Sequence, residues 1–290
     1  MIMKKILLIL FLFFLLTPFS RINAVEAISA PIKLIKILLV PGHDAEIWGA
    51  QYGNTKEANM NLAVASRIYD IFKKDKRFEV YITRDDLGYT KEFADYFTNQ
   101  QKAILAFKEN AKKEMKDNIF LGNFIKKINP PHLVVSQDMS IKLYGINKWA
   151  DENNIDAVIH IHFNDYPRKN KWTIGKYTGF TIYIPEGQMV NSYNSGQLAA
   201  NIFTELKKKY ATSTYGKELG GLIPDQTLIA LGANDTLLSD VRSVLIEYGY
   251  IYEKKFRNYN TRHQAYKNMA ALTAQGIKNY FFPSVQTSLR

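Results

Sequence analysis

The sequence predicts an α/β protein, and three observations carry that expectation. Short apolar runs recur at 36–40, 79–83, 157–162, 179–184, 228–231 and 243–247, each bounded by turn-forming or polar residues. Stretches with helical apolar spacing lie between them. The first three elements follow the order strand, helix, strand, which is the order of a parallel βαβ unit.

Taken in order, the chain opens with Lys4 and Lys5, an apolar run from Ile6 to Leu16, and small residues at Ala24 and Ala27. This is the layout of a secretory signal peptide over 1–24. The run is shorter than the roughly 20 residues that span a bilayer, so cleavage is expected over a retained anchor. In both cases the remainder works outside the cytoplasm. Lys36-Ile37-Leu38-Leu39-Val40 then reads as a buried strand stopped by Pro41-Gly42. A helix is expected to open at Asn54-Thr55-Lys56-Glu57, with Asn54 or Thr55 as N-cap and Leu62, Ala65, Ile68 and Phe72 at helical spacing. Residues 91–148, rich in Lys, Asn, Glu and Phe, read as a helical insertion with helices at 91–117 and 140–152 and a break at Asn129-Pro130-Pro131. Phe93, Tyr96, Phe97 and Phe107 would pack it down, either as a solvated decoration or as a wall or lid beside a cleft. Helices at 192–210 and 262–281 complete a domain over 32–282, and a frayed tail is expected over 283–290.

The chain has 290 residues and a formal net charge of +11, of which Lys4, Lys5 and Arg21 belong to the signal segment. The basic surface suits a polyanionic partner. For an exported protein that means cell wall or acidic envelope polymer, and no nucleic-acid module is recognisable. There is no cysteine, which excludes disulfides, thiolate metal sites and cysteine nucleophiles. Any metal must be held by His, Asp or Glu, and the histidines number five: His43, His132, His160, His162 and His263.

Four residues stand at comparable positions. His43 follows the first strand, His162 closes the strand at 157–162, Glu247 closes the strand at 243–247, and Glu57 lies in the first turn of the first helix. In an open α/β sheet ligands bind outside the carboxyl ends of the strands, so all four are expected to converge there. Singly, each has an ordinary explanation: His43 as a turn residue, Glu57 as a complement to the helix dipole, Glu247 as a strand-end charge. Two histidines and a carboxylate are a common catalytic zinc ligand set that leaves a position for water. A further carboxylate, here Glu247, can relay the proton of that water to a leaving amine.

Val40-Pro41-Gly42-His43, Gly49-Ala50 and Lys56-Glu57 together resemble the opening motif of zinc-dependent N-acetylmuramoyl-L-alanine amidases. Tyr81-Ile82-Thr83-Arg84 resembles that family's Thr-Arg strand end, His160-Ile161-His162-Phe163-Asn164 its Ser-Ile-His-x-Asn motif, and Leu245-Ile246-Glu247-Tyr248-Gly249-Tyr250 its Leu-Val-Glu-x-Gly-Phe motif. The resemblance covers about 34–90 and 145–282. It implies a twisted, mostly parallel sheet with helices on both faces. It also implies His43, Glu57 and His162 as ligands of one Zn2+ per chain, with Glu247 as catalytic glutamate. The implied reaction cuts the amide between N-acetylmuramic acid and the L-alanine of the stem peptide, so the expected partner is peptidoglycan, in the periplasm or cell wall.

Departures from the family pattern are Val40 for Asp, Asp44-Ala45 for Gly-Gly, His160 for Ser, and Arg242 where Pro is common. His160 is a supporting donor or a rival to His162 as ligand. The same ligands would serve a zinc carboxypeptidase or endopeptidase acting within stem peptides, and a catalytically silent wall-binding protein would share the surface. Another divalent ion could fill the site in vitro, and a protein activator is unspecified.

Overall fold

The computed structural model describes residues 33–127 and 136–283. The expected signal segment, the Asn129-Pro130-Pro131 break and all but the first residue of the tail lie outside the described residues. Strands β1 (Ile35–Pro41), β4 (Phe78–Ile82), β5 (Ala157–Asn164), β6 (Thr181–Pro185), β7 (Leu222–Asp225) and β8 (Arg242–Tyr250) form one sheet in the order β4-β1-β5-β8-β6-β7. Every neighbouring pair is parallel except β6 and β8. The centre of the sheet is buried from both sides. Leu38 and Leu39, successive residues that point to opposite faces, are both fully buried. That is why the run reads as continuously apolar and not alternating.

Both faces carry helices, as the resemblance implies. On one face α1 (Glu57–Phe72), α5 (Ser192–Lys207) and α7 (Tyr259–Phe281) bury Val64, Ile68, Leu198, Ile202, Met269 and Ile277 against the sheet residues Ile159, Ile161, Val244 and Ile246. On the other, α2 (Lys91–Asn99) and α4 (Gln137–Glu152) bury Phe93, Ile146 and Trp149 with Leu38, Val40 and Val158. Residues 91–148 therefore build part of the core: Trp149, just beyond them, lies with its ring centroid 4.8 Å from Phe93 and 5.2 Å from Tyr81. Between these two helices α3 (Gln101–Phe120) is more peripheral, burying Ile104, Ala111 and Met115. The helix expected over 91–117 is in fact two, divided at Gln100.

Two further expectations are corrected. Asn54 and Thr55 do not cap α1. A small antiparallel hairpin, β2 (Gln51–Tyr52) and β3 (Thr55–Lys56), occupies that stretch, with Gly53 and Asn54 at its turn. The N-cap is Lys56, whose side chain makes no capping bond. The first helical N–H groups are satisfied instead by backbone carbonyls, Glu57 N donating to Ala50 O at 2.9 Å and Ala58 N to Trp48 O at 3.1 Å. The strand expected at 228–231 is a 3-10 turn over Ile229–Leu231. β7 forms one edge of the sheet, and its four residues include Pro224, a residue suited to an edge strand.

Because Trp149 sits between the sheet and α2 at 3% exposure, Trp149→Ala should cost about 3–5 kcal/mol. The check is a lowered urea midpoint with an unchanged slope.

Candidate metal centre

The C-terminal ends of β1 and β5 and the start of α1 meet at one rim of the sheet. There His43 Nε2 lies 3.2 Å from Glu57 Oε2, and His162 Nδ1 lies 3.1 Å from Glu57 Oε1. The two imidazoles stand edge to face with centroids 5.2 Å apart. One donor atom from each of the three residues falls within 4.8 Å of the others. The donor set is two nitrogens and a carboxylate oxygen, the type that suits zinc.

Glu57 is nearly fully buried, and its carboxylate is held from several directions. Ala50 N donates to Oε2 at 2.8 Å, while Phe163 N at 3.2 Å and Asn61 Nδ2 at 3.3 Å donate to Oε1. Burial works against its charge, but the hydrogen bonds from His162 and His43 outweigh that, and its pKa falls well below the usual carboxylate range. The histidines respond in opposite directions. Burial disfavours the imidazolium of both, yet contact with Glu57 raises His43, whereas at His162 burial wins and the pKa is lowered.

The loop that presents His43 is shaped by close approach. His43 itself adopts φ 61°, a left-handed conformation that a non-glycine residue holds only when its surroundings fix it. A side chain at Gly42 would collide with the His162 ring, and one at Gly49 (φ 71°) would collide with Glu57 and His43. The Gly42 carbonyl accepts from Asn61 Nδ2 at 2.9 Å and from Arg84 at 3.0 Å. Arg84 also donates to Pro41 O and Ala58 O, at 3.1 and 2.7 Å, tying the end of β1 to the start of α1.

Glu247 is register-paired with His162 on the adjacent strand β8, and such partners point to the same face of the sheet. Its Oε2 is buried and has no partner among the described residues. Burial, reinforced by the charges of Glu57 and Glu218, raises its pKa well above the ordinary value. An orphaned carboxyl oxygen beside two imidazoles and a carboxylate fits a centre that takes an ion and a water.

His160 does not join the group. It is buried on the same face one pleat earlier, with Nε2 unpartnered among the described residues. Burial and the neighbouring His162 push its pKa down to about 3, so it is a neutral imidazole. The other departures from the family pattern fall outside the cluster. Val40 is core. Asp44 turns inward to accept from Glu46 N and Ile47 N at 3.0 and 2.7 Å, and Arg242 lies at the opposite end of β8, bonded to Tyr280.

Sequence reasoning missed Glu218, a buried carboxylate in a short 3-10 turn (Gly216–Glu218). Oε1 accepts from Asn164 Nδ2 at 2.7 Å and Tyr183 OH at 2.9 Å, and Oε2 from Tyr250 OH at 2.9 Å and Ser213 Oγ. No spacing in the sequence marks it, because three of its four donors come from the strands β5, β6 and β8. Asn61 could have been found, as a polar residue inside an otherwise apolar periodic pattern, and Arg84 is the arginine of the Thr-Arg strand end.

Residues 126–279 match the family model described as N-acetylmuramoyl-L-alanine amidase. That span contains His162 and Glu247 and begins after His43 and Glu57. No curated protein matches the chain. Among solved structures, the chain resembles the CwlD amidase of Clostridioides difficile at 20% identity and TM-score 0.56, covering 85% of this chain and 98% of that one. It also resembles the apo form of the amidase Ami1 of Mycobacterium abscessus, at 17% identity, TM-score 0.53 and coverages of 85% and 98%. An N-acetylmuramoyl-L-alanine amidase of Clostridium difficile 630 follows at 16% identity, TM-score 0.52 and coverages of 87% and 98%. These likenesses concern the fold, and the sheet, its helices and the rim on which the cluster sits are shared architecture. With the family model matched over more than half of its length, the chain belongs to the N-acetylmuramoyl-L-alanine amidase family.

Proposed function

We propose that this chain is a secreted, zinc-dependent amidase that cuts the bond between N-acetylmuramic acid and L-alanine in peptidoglycan. One observation carries the reading: His43, Glu57 and His162, from three separate elements, place their donor atoms within 4.8 Å of one another. His43, Glu57 and His162 would hold one Zn2+ per chain. When bound, the ion supplies Lewis-acid polarisation of the scissile carbonyl and a lowered pKa for water.

The chain's own groups do the rest. The N–H groups of Ala50 and Phe163 fix the Glu57 carboxylate, so the two imidazoles are oriented before any ligand arrives. Glu247 takes the proton of the attacking water at a carboxylate oxygen and returns it to the departing L-alanine nitrogen. Its raised pKa suits that double role, because an acid too strong would keep no proton to return.

Secretion rests on the signal-like segment 1–24. Among the described residues no helix is long and apolar enough to cross a membrane. The basic charge suits an anionic wall. A protein partner belongs to the same reading, since the CwlD neighbour was solved in complex with the GerS lipoprotein.

Mass spectrometry of peptidoglycan digests tests the reaction. Free lactyl groups and released stem peptides that vanish with a chelator are expected, whereas products that keep the sugar–alanine bond would replace the amidase by a stem-peptide peptidase. Glu247→Gln should retain about one zinc and lose at least ~100-fold in turnover; a fully active variant refutes its role. Gly49→Ala, which drives a methyl group toward His43 and Glu57, should weaken metal affinity about 10–100-fold, read by competition with a chelating dye.

Glu247→Gln should also change stability with pH. The carboxyl is harder to ionise folded than unfolded, so ionisation disfavours the native state as pH rises above the ordinary carboxyl range. Metal-free Glu247→Gln should therefore melt higher than the parent at pH 7. The gain is about 1.4 kcal/mol for each tenfold by which burial weakens the acid. The gap should close below about pH 3.5, where both states of the parent are protonated.

A further inference from the structure

The β5–β6 connection, residues 165–180, is pinned to the hairpin that leads into Glu57. Gly53 N donates to Lys171 O at 3.0 Å. Arg168, its side chain buried, bonds Asp165 and donates to Gln51 O at 2.8 Å and Thr173 O at 3.0 Å. Asn170 caps the turn by accepting from Trp172 N at 2.9 Å. The indole of Trp172 is laid against the hairpin, where a side chain at Gly53 would come within 2.5 Å of it, and its ring meets Tyr52 edge-on at 6.4 Å.

Despite this fixation Trp172 remains 59% exposed. An immobilised indole open to water is an unusual use of a large apolar side chain, and single mobile surface residues do not share that constraint. Trp48, at 39% exposure, precedes the same hairpin, with Lys56 Nζ 3.8 Å from its ring centre. Ala50, two residues before the hairpin turn's first strand ends, touches Glu57, and Gly49 touches His43. The hairpin beneath Trp172 is thus continuous with the candidate centre. Lys169, Lys171 and Lys176 are exposed around the same loop.

We propose that Trp172, fixed on the β2–β3 hairpin, is a stacking platform for a sugar ring of the peptidoglycan glycan strand. This rests on the peptidoglycan reading given above. The C–H face of a pyranose is apolar with outward positive hydrogens, which suits the negative face of an indole. The surrounding lysines suit the carboxylates of the stem peptides that hang from that strand.

The probe is a peptide-free oligosaccharide of alternating N-acetylglucosamine and N-acetylmuramic acid, titrated into the full-length protein. Affinity should fall about tenfold in Trp172→Ala and only a few-fold in Trp172→Phe, which keeps a ring. Oxidative footprinting of the unmodified protein gives a readout that no variant's folding can confound. Modification of Trp172 should drop on adding the glycan while that of buried Trp149 stays constant. Equal oxidation of Trp172 with and without saturating glycan overturns the platform, as does Trp172-dependent binding to phosphatidylglycerol vesicles in its place. Amide hydrolysis by a protein whose Trp172 is unprotected removes the platform alone; protection without hydrolysis removes the amidase reading alone.

Discussion

Everything at the rim of this sheet is arranged around one buried carboxylate. A charge such as that of Glu57 costs several kcal/mol to bury without partners. The fold answers with two imidazoles, two backbone N–H groups and an amide side chain. Each partner imposes a demand of its own. The Ala50 N–H requires the chain to double back before α1, which the short hairpin achieves. The Phe163 N–H requires β5 to run past the helix start, and the approach of His162 leaves no room for a side chain at residue 42. Arg84, by gathering three carbonyls of the two elements, holds them at the separation this arrangement needs.

The face of the sheet beyond His162 carries two more carboxylates treated in opposite ways. Glu218 accepts four hydrogen bonds from neutral donors, three on β5, β6 and β8 and one from nearby Ser213, so its demand is fully met. Glu247 is left with one buried oxygen unpartnered among the described residues. The first is tied into the scaffold by its donors, and the second is the one left with hydrogen-bonding capacity to spare.

Much of this was legible in the sequence, for identifiable reasons. Strands buried on both faces read as short apolar runs, and a histidine or glutamate closing such a run is conspicuous because the sheet interior excludes it. That placed His43, His162 and Glu247 at the same edge before any coordinates. The hairpin ahead of α1 was hidden because Asn and Thr serve turns and helix caps equally well, and only the backbone contacts of Trp48 and Ala50 decide between them. β7 was hidden by its brevity and its proline, and the apolar residues of 228–231 that mimic a strand instead bury Ala230 and Leu231 against Tyr183 and Leu245. Glu218 was invisible because three of its four donors, Asn164, Tyr183 and Tyr250, are distant in the chain.

The antiparallel pairing of β6 with β8 has a consequence of its own. Because β6 runs against β8, the chain must leave β5 at the functional edge and return to that edge before re-entering the sheet, and the segment 165–180 is the length of chain that makes the return. A strictly parallel sheet would have carried this connection to the far end as a crossover helix. The reversal of one strand thus keeps this connection beside the cluster along its whole course. Its last residue, Phe180, already belongs to the core, so the loop is anchored at its far end while Trp172 at its middle stays open to water.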